Sequence, residues 1–314
     1  MAMIRRLWIF SVLLGLCMIL QGPVVMAAEL PPANTQGTDR KWLDVPYATE
    51  SASQKLDIYL PKEGKGPFPV ILAIHGGAFY TGDKGNMEVD GQLVGLNHGY
   101  AVVSMNYRLS NEATFPAPVL DAKAAVRFLR AHAAEYQLDG QRIAAWGDSA
   151  GANIAALLGT TAGHPELEDL SQGNAGESSR VVAGVAWGPP GEYLQEGAQS
   201  RARGITPFDW AGKADSYIAK YMGAPIQAIS GLMRFANPES YIGRDTVPFL
   251  IENGGKDTVV PTEQGRDFAA KLQAVIGADR VTYICLPEAE HRVVHFMGQE
   301  NMEKVFGFLD RYLK

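Results

Sequence analysis

Apolar residues recur along this chain in short unbroken runs, separated by longer stretches with helical spacing. The runs at 68–74 (FPVILAI), 100–107, 141–146 (QRIAAW), 181–187 (VVAGVAW), 248–252 and 281–286 are continuous rather than alternating. Strands of that kind suit a parallel sheet covered on both faces. Segments 41–48 and 54–60 predict an antiparallel entry, which Pro61 ends. Helices are predicted at 87–97, 115–136, 150–158, 262–275 and 301–313. In the second, Val119, Ala122, Val126 and Leu129 share a face, and Lys123, Arg127 and Arg130 are expected to reach water. In the last, Met302, Val305, Phe306, Leu309 and Leu313 share a face. Strands alternating with helices predict βαβ units, hence an α/β domain with a mostly parallel central sheet flanked by helices.

Two stretches break this rhythm. Residues 164–179 predict a soft loop. Residues 191–240 carry aromatics, methionines and charges without a sustained period, and predict a small lid inserted over the sheet. The aromatic and methionine positions around it are Trp187, Tyr193, Phe208, Trp210, Tyr217, Tyr221 and Met233. They either line an acyl or sugar pocket or form the lid's own core.

The N-terminus changes the picture. Arg5 and Arg6, an apolar run over 7–20 and the small residues before position 29 have the layout of a secretory signal peptide over 1–28. An uncleaved anchor is the alternative. The expectation is a secreted or periplasmic protein whose α/β domain occupies 29–314, with the lid at about 191–240 and a polar leader over 29–40. Removing two arginines and no acid takes the net charge from −6 to −8. An acidic chain has no electrostatic footprint for nucleic acid. No stable membrane association is expected after cleavage. Cys285 would then be the one cysteine left, expected in the core of the 281–286 strand. Without paired cysteines or an H-E-x-x-H pattern, no metal or redox cofactor is expected.

The candidate chemistry centres on Gly147-Asp148-Ser149-Ala150-Gly151, set between a predicted strand and a small-residue helix. That is the context in which G-x-S-x-G presents a nucleophilic serine on a strained turn, with no room for side chains at either glycine. A serine hydroxyl needs a base to take its proton, and the base needs a group to orient it. In such hydrolases the chain order is Ser, then Asp or Glu, then His. That order leaves His291 and His295 as candidate bases. Asp257, on the loop after the 248–252 strand, is the acid expected, with Glu252 as the alternative. Glu290, beside His291, either raises its pKa or points to water; the second is expected.

In these residues and their order the chain resembles the α/β-hydrolase fold carboxylesterases, in the branch of hormone-sensitive-lipase-like enzymes and bacterial feruloyl and acetyl-xylan esterase-like proteins. The matching positions are His75-Gly76-Gly77-Ala78-Phe79, Asn106-Tyr107-Arg108-Leu109-Ser110, Phe115-Pro116-Ala117 with Asp121, the Ser149 pentapeptide, Asp257-Thr258-Val259-Val260-Pro261 and His291. They span about residues 42–314. The resemblance implies an ester hydrolase with the triad Ser149, Asp257 and His291 and an oxyanion hole from the amides of Gly76, Gly77 and Ala150. His75 is expected to support that loop. The chain departs from the branch at Ala78, where a third glycine is usual, and at Glu288-Ala289-Glu290, where small residues are usual. The substrates implied are small-molecule or saccharide-linked esters, including acyl groups on plant polysaccharides. Amide hydrolysis on the same triad and a non-catalytic binding role are the other readings.

Overall fold

The computed structural model describes residues 30–206 and 215–314. The expected signal peptide (1–28) lies outside the described residues, as do Phe208 and Trp210. In chain order the elements are β1 (Lys41–Pro46), β2 (Lys55–Tyr59), β3 (Phe68–Ile74), the one-turn α1 (Asp90–Leu93), β4 (Ala101–Met105), α2 (Ala117–Ala131), β5 (Leu138–Asp148), α3 (Ala150–Thr160) and β6 (Ala183–Trp187). After these come α4 (Tyr193–Ala202), α5 (Tyr217–Met222), β7 (Phe249–Gly254), α6 (Thr262–Ile276), β8 (Val281–Leu286) and α7 (Gln299–Leu313). The helix expected at 87–97 is broken into α1 and flanking 3-10 turns. The one expected at 115–136 stops at Ala131, and the chain turns so that the Leu138 amide donates to Ala133 O.

The eight strands form one sheet in the order β1-β2-β4-β3-β5-β6-β7-β8. The β2 strand runs antiparallel to β1 and β4, and every other pairing is parallel. This is the mostly parallel α/β sheet expected from the alternation of strands and helices, and the α/β-hydrolase fold that the resemblance implies. Successive strand residues feed opposite faces. Val70, Leu72 and Ile74 join the core under α2, α3 and α6, while Ile71, Trp146, Trp187 and Leu250 pack against α7. The functional consequence lies in the order of strands. From β3 the chain goes to β4 on one side, then returns to lay β5 on the other, so the connections diverge above the carboxyl ends of β3 and β5. Open α/β sheets bind their ligands in such a crevice. His75-Gly76-Gly77 follows β3, and Ser149 follows β5.

Two expectations are corrected. Lys123 and Arg127 are buried, not solvated. The 164–179 loop curls over α2, and its polar groups need donors. Arg127 donates to the carbonyls of Asp169 and Gly173 and pairs with Glu168, while Lys123 donates to Thr161 O and lies 3.4 Å from Glu168. Arg130 is half-buried and donates to Gly140 O. Cys285 is exposed rather than in the core, because β8 is the edge strand of the sheet.

Glu168 thus neutralises two cations that have no access to water. Removing one partner of a buried ion cluster costs about 3–5 kcal/mol. Glu168→Gln is expected to lose stability on that order in denaturant unfolding; a loss below about 1 kcal/mol would mean that the loop's carbonyls alone satisfy Lys123 and Arg127.

Candidate active site

The turn between β5 and α3 is as tight as G-x-S-x-G demands. A Cβ on Gly147 would stand 2.2 Å from the Gly151 carbonyl, and one on Gly151 would stand 2.1 Å from Ile74 O. No side chain survives such contacts, so strand, helix and neighbouring strand close up only around glycine. Ser149 takes φ 51° and ψ −119°. Its amide donates to Trp187 O at 2.8 Å, tying the turn to the end of β6.

Asp257 and His291 reach this serine from the far end of the sheet. Asp257 follows β7 and is fully buried. Its Oδ1 accepts the amides of Val259 and Val260 at 2.8 Å each, which fixes the carboxylate plane. Its Oδ2 accepts from His291 Nδ1 at 2.6 Å, and His291 Nε2 accepts from Ser149 Oγ at 2.8 Å. The loops carrying the acid and the histidine are bonded side by side, with the Gly255 amide on Leu286 O and the Lys256 amide on Ala289 O. The alternatives expected from sequence are not part of this chain of bonds. His295 is exposed, and its Nδ1 accepts the Glu290 amide. Glu252 is buried in β7 and accepts from Asn301 at 2.8 Å; burial raises its pKa to about 8. The Glu290 residue is exposed, as expected.

The β3 turn is built from below. His75 is buried and stacked on Tyr107 at 4.5 Å, and its Nδ1 donates to Gly76 O. The Tyr107 hydroxyl lies 3.0 Å from the carbonyls of both His75 and Gly76. Burial lowers the His75 pKa and favours the neutral ring, which fits a support. Gly76 lies against the buried Asp148 side chain, whose Oδ2 would stand 2.6 Å from a Cβ on this glycine; burial drives the Asp148 pKa well up. Gly77, Ala78 and Phe79 follow with φ of 90°, 53° and 59°. Successive amides in a turn of this sort form a concavity for negative charge. Ala150 completes the wall as the first residue of α3, where a helix amide has no intrahelical acceptor.

The segment between β6 and β7 packs onto this centre. Tyr193, Tyr221 and Met233 belong to the main core rather than to a separate one, and Trp187 lies on the opposite face of the sheet. Tyr217 is half-buried against Tyr80. Sequence reasoning missed Glu196, on α4. It is fully buried, both carboxyl oxygens lack a hydrogen-bond partner among the described residues, and burial with Asp257 nearby drives its pKa well up. A glutamate in an aperiodic polar stretch carries no sign of burial.

Comparison with known proteins agrees with this geometry. The chain is 31% identical over 252 residues to esterase LipQ of Mycobacterium tuberculosis, covering 79% of this chain and 56% of that one. It is 30% identical over 247 residues to esterase LipC of the same organism, covering 77% and 57%. It thus spans a little over half the length of these curated relatives. Among solved structures, a bifunctional GH43-CE protein of Bacteroides eggerthii superposes with a TM-score of 0.75 at 32% identity, covering 88% of this chain and 38% of that one. A truncated carbohydrate esterase from gut microbiota superposes at 0.77 with 26% identity, covering 90% and 99%. The BD-FAE family model matches residues 56–272, well over half of the sequence, and the chain belongs to that family.

Proposed function

We propose that this chain is a carboxylic-ester hydrolase that works through an acyl-enzyme on Ser149. The observation that carries the reading is the unbroken relay from Ser149 Oγ to His291 Nε2 and from His291 Nδ1 to Asp257 Oδ2. In the reaction Oγ attacks the ester carbonyl while Nε2 takes its proton. Asp257 holds the imidazole tautomer and stabilises the imidazolium. Negative charge on the former carbonyl oxygen is met by the amides of the β3 turn, Gly76, Gly77 and Ala78, and by that of Ala150, prepositioned so that nothing reorganises as charge develops. His291 then protonates the leaving alcohol. Water, activated by the same nitrogen, releases the acid. The esterase names of the relatives support the reaction class. The carbohydrate esterase neighbour supports esters carried on saccharides as the substrates. Residues 1–28 are proposed to direct export, and N-terminal sequencing of the exported chain should begin near residue 29.

Three sets of variants test this assignment on an activated aryl ester. Ser149→Ala should cost about 10⁴–10⁶ in kcat with the circular dichroism spectrum unchanged, and retained turnover would sink the nucleophile. His291→Ala should match that loss while His295→Ala stays within a few-fold of wild type; the reverse ranking would move the base. Asp257→Asn should cost about 10⁴ in kcat, whereas Glu252→Gln should leave turnover within a few-fold.

Glu252 also predicts a pH dependence of stability. Its folded pKa of about 8 lies above its ordinary value of 4.5. The unfolded chain therefore ionises first, and stability present below pH 4.5 is lost as pH rises toward 8. Glu252→Gln removes that loss. Its melting temperature should exceed wild type by several degrees at pH 8, on the order expected for a few kcal/mol, with little gain at pH 4.5. Equal gains at both pH values would contradict the raised pKa.

A further inference from the structure

The turn after β3 holds a strained conformation that its own residues do not favour. Ala78 and Phe79 both have positive φ, a region that side chains with a Cβ occupy only when surrounding structure imposes it. Part of the imposition comes from beneath, where Ser110 donates to Phe79 O from its amide at 2.7 Å and from its hydroxyl at 2.8 Å. The rest comes from the β6–β7 insertion. The Phe79 ring is stacked on Tyr221 of α5, centroids 3.7 Å apart and planes 4° from parallel. Tyr221 is itself fixed: Phe115 meets its ring edge-on at 5.7 Å, and the Phe115 amide donates to its carbonyl at 2.7 Å. Both stacked rings are fully buried, and the Tyr221 hydroxyl has no hydrogen-bond partner among the described residues. The ring is what the contact uses.

We propose that Tyr221 is a positioning residue for the oxyanion turn: its ring clamps Phe79 and so keeps the Gly77 and Ala78 amides aimed at the reacting carbonyl. The inference rests on the ester-hydrolase reading above. It makes α5 and the charge-stabilising turn one packed unit, although they lie far apart in sequence. Loosening the clamp misplaces donors that act on the developing oxyanion, and leaves ground-state binding of the ester largely unchanged.

Tyr221→Leu and Phe79→Leu should each lower kcat on an aryl ester by about 10–100-fold, short of the 10²–10³ for full loss of one donor, with KM within about two-fold. The double variant should lose little beyond either single one, since both break one contact. Tyr221→Phe keeps the ring and should restore kcat to within about two-fold of wild type. Thermal melts of all variants report folding separately. A Tyr221→Leu protein that melts lower yet keeps wild-type kcat overturns the clamp, as does a loss seen wholly in KM or equally in Tyr221→Phe. If wild type turns over no ester while folded, the hydrolase reading fails first and the clamp falls with it.

Discussion

Everything at the catalytic end of this sheet depends on how closely β5, α3 and β3 approach one another around Gly147 and Gly151. With carbonyl atoms about where two missing Cβ atoms would be, the backbone can pass only in one conformation, and that conformation lifts Ser149 out of the turn at φ 51°. The strain is local and the restraint is not. The serine amide is held by Trp187 O, and the helix beyond it is buried along its length. A strained residue persists where its surroundings over-determine it, and here three neighbouring elements do so.

The same economy runs through the partners of the serine. Asp257 is fixed by two backbone amides and His291 by Asp257, while the two loops that carry them are bonded to each other through main-chain groups. None of these restraints uses a charged side chain exposed to solvent, so their strength is little screened by salt. On the opposite side, His75 and Tyr107 form a buried polar floor beneath the β3 turn with Asp148 buried beside them, each of the two rings contributing a hydrogen bond that a water-filled site would dilute. The insertion after β6 adds a third wall through Tyr221. Nucleophile, proton relay and charge-stabilising turn thus draw on different parts of the chain and meet at the point where the strand order diverges.

What the amino-acid sequence determined by itself was whatever depends on local pattern: the strands and helices, the elbow whose glycines have a steric reason, and the chain order that narrowed the base to His291 or His295 and the acid to Asp257 or Glu252. Those features repeat at short range, and short-range sterics decide them. What only the tertiary structure decided was burial and partnership across distant segments. Lys123 and Arg127 sit at positions that read as solvated on α2, yet a loop some forty residues later covers them because its carbonyls need donors. Cys285 sits in a run that reads as core, yet its strand is the sheet's edge. Glu196 gave no signal and Tyr221 only that of one lid aromatic among several, since an aromatic or a glutamate in an aperiodic stretch acquires its role only from what packs against it. Periodicity records which side of an element faces inward. It does not record which other segment arrives there, because that is settled by chain topology and by the need of every buried polar group for a partner.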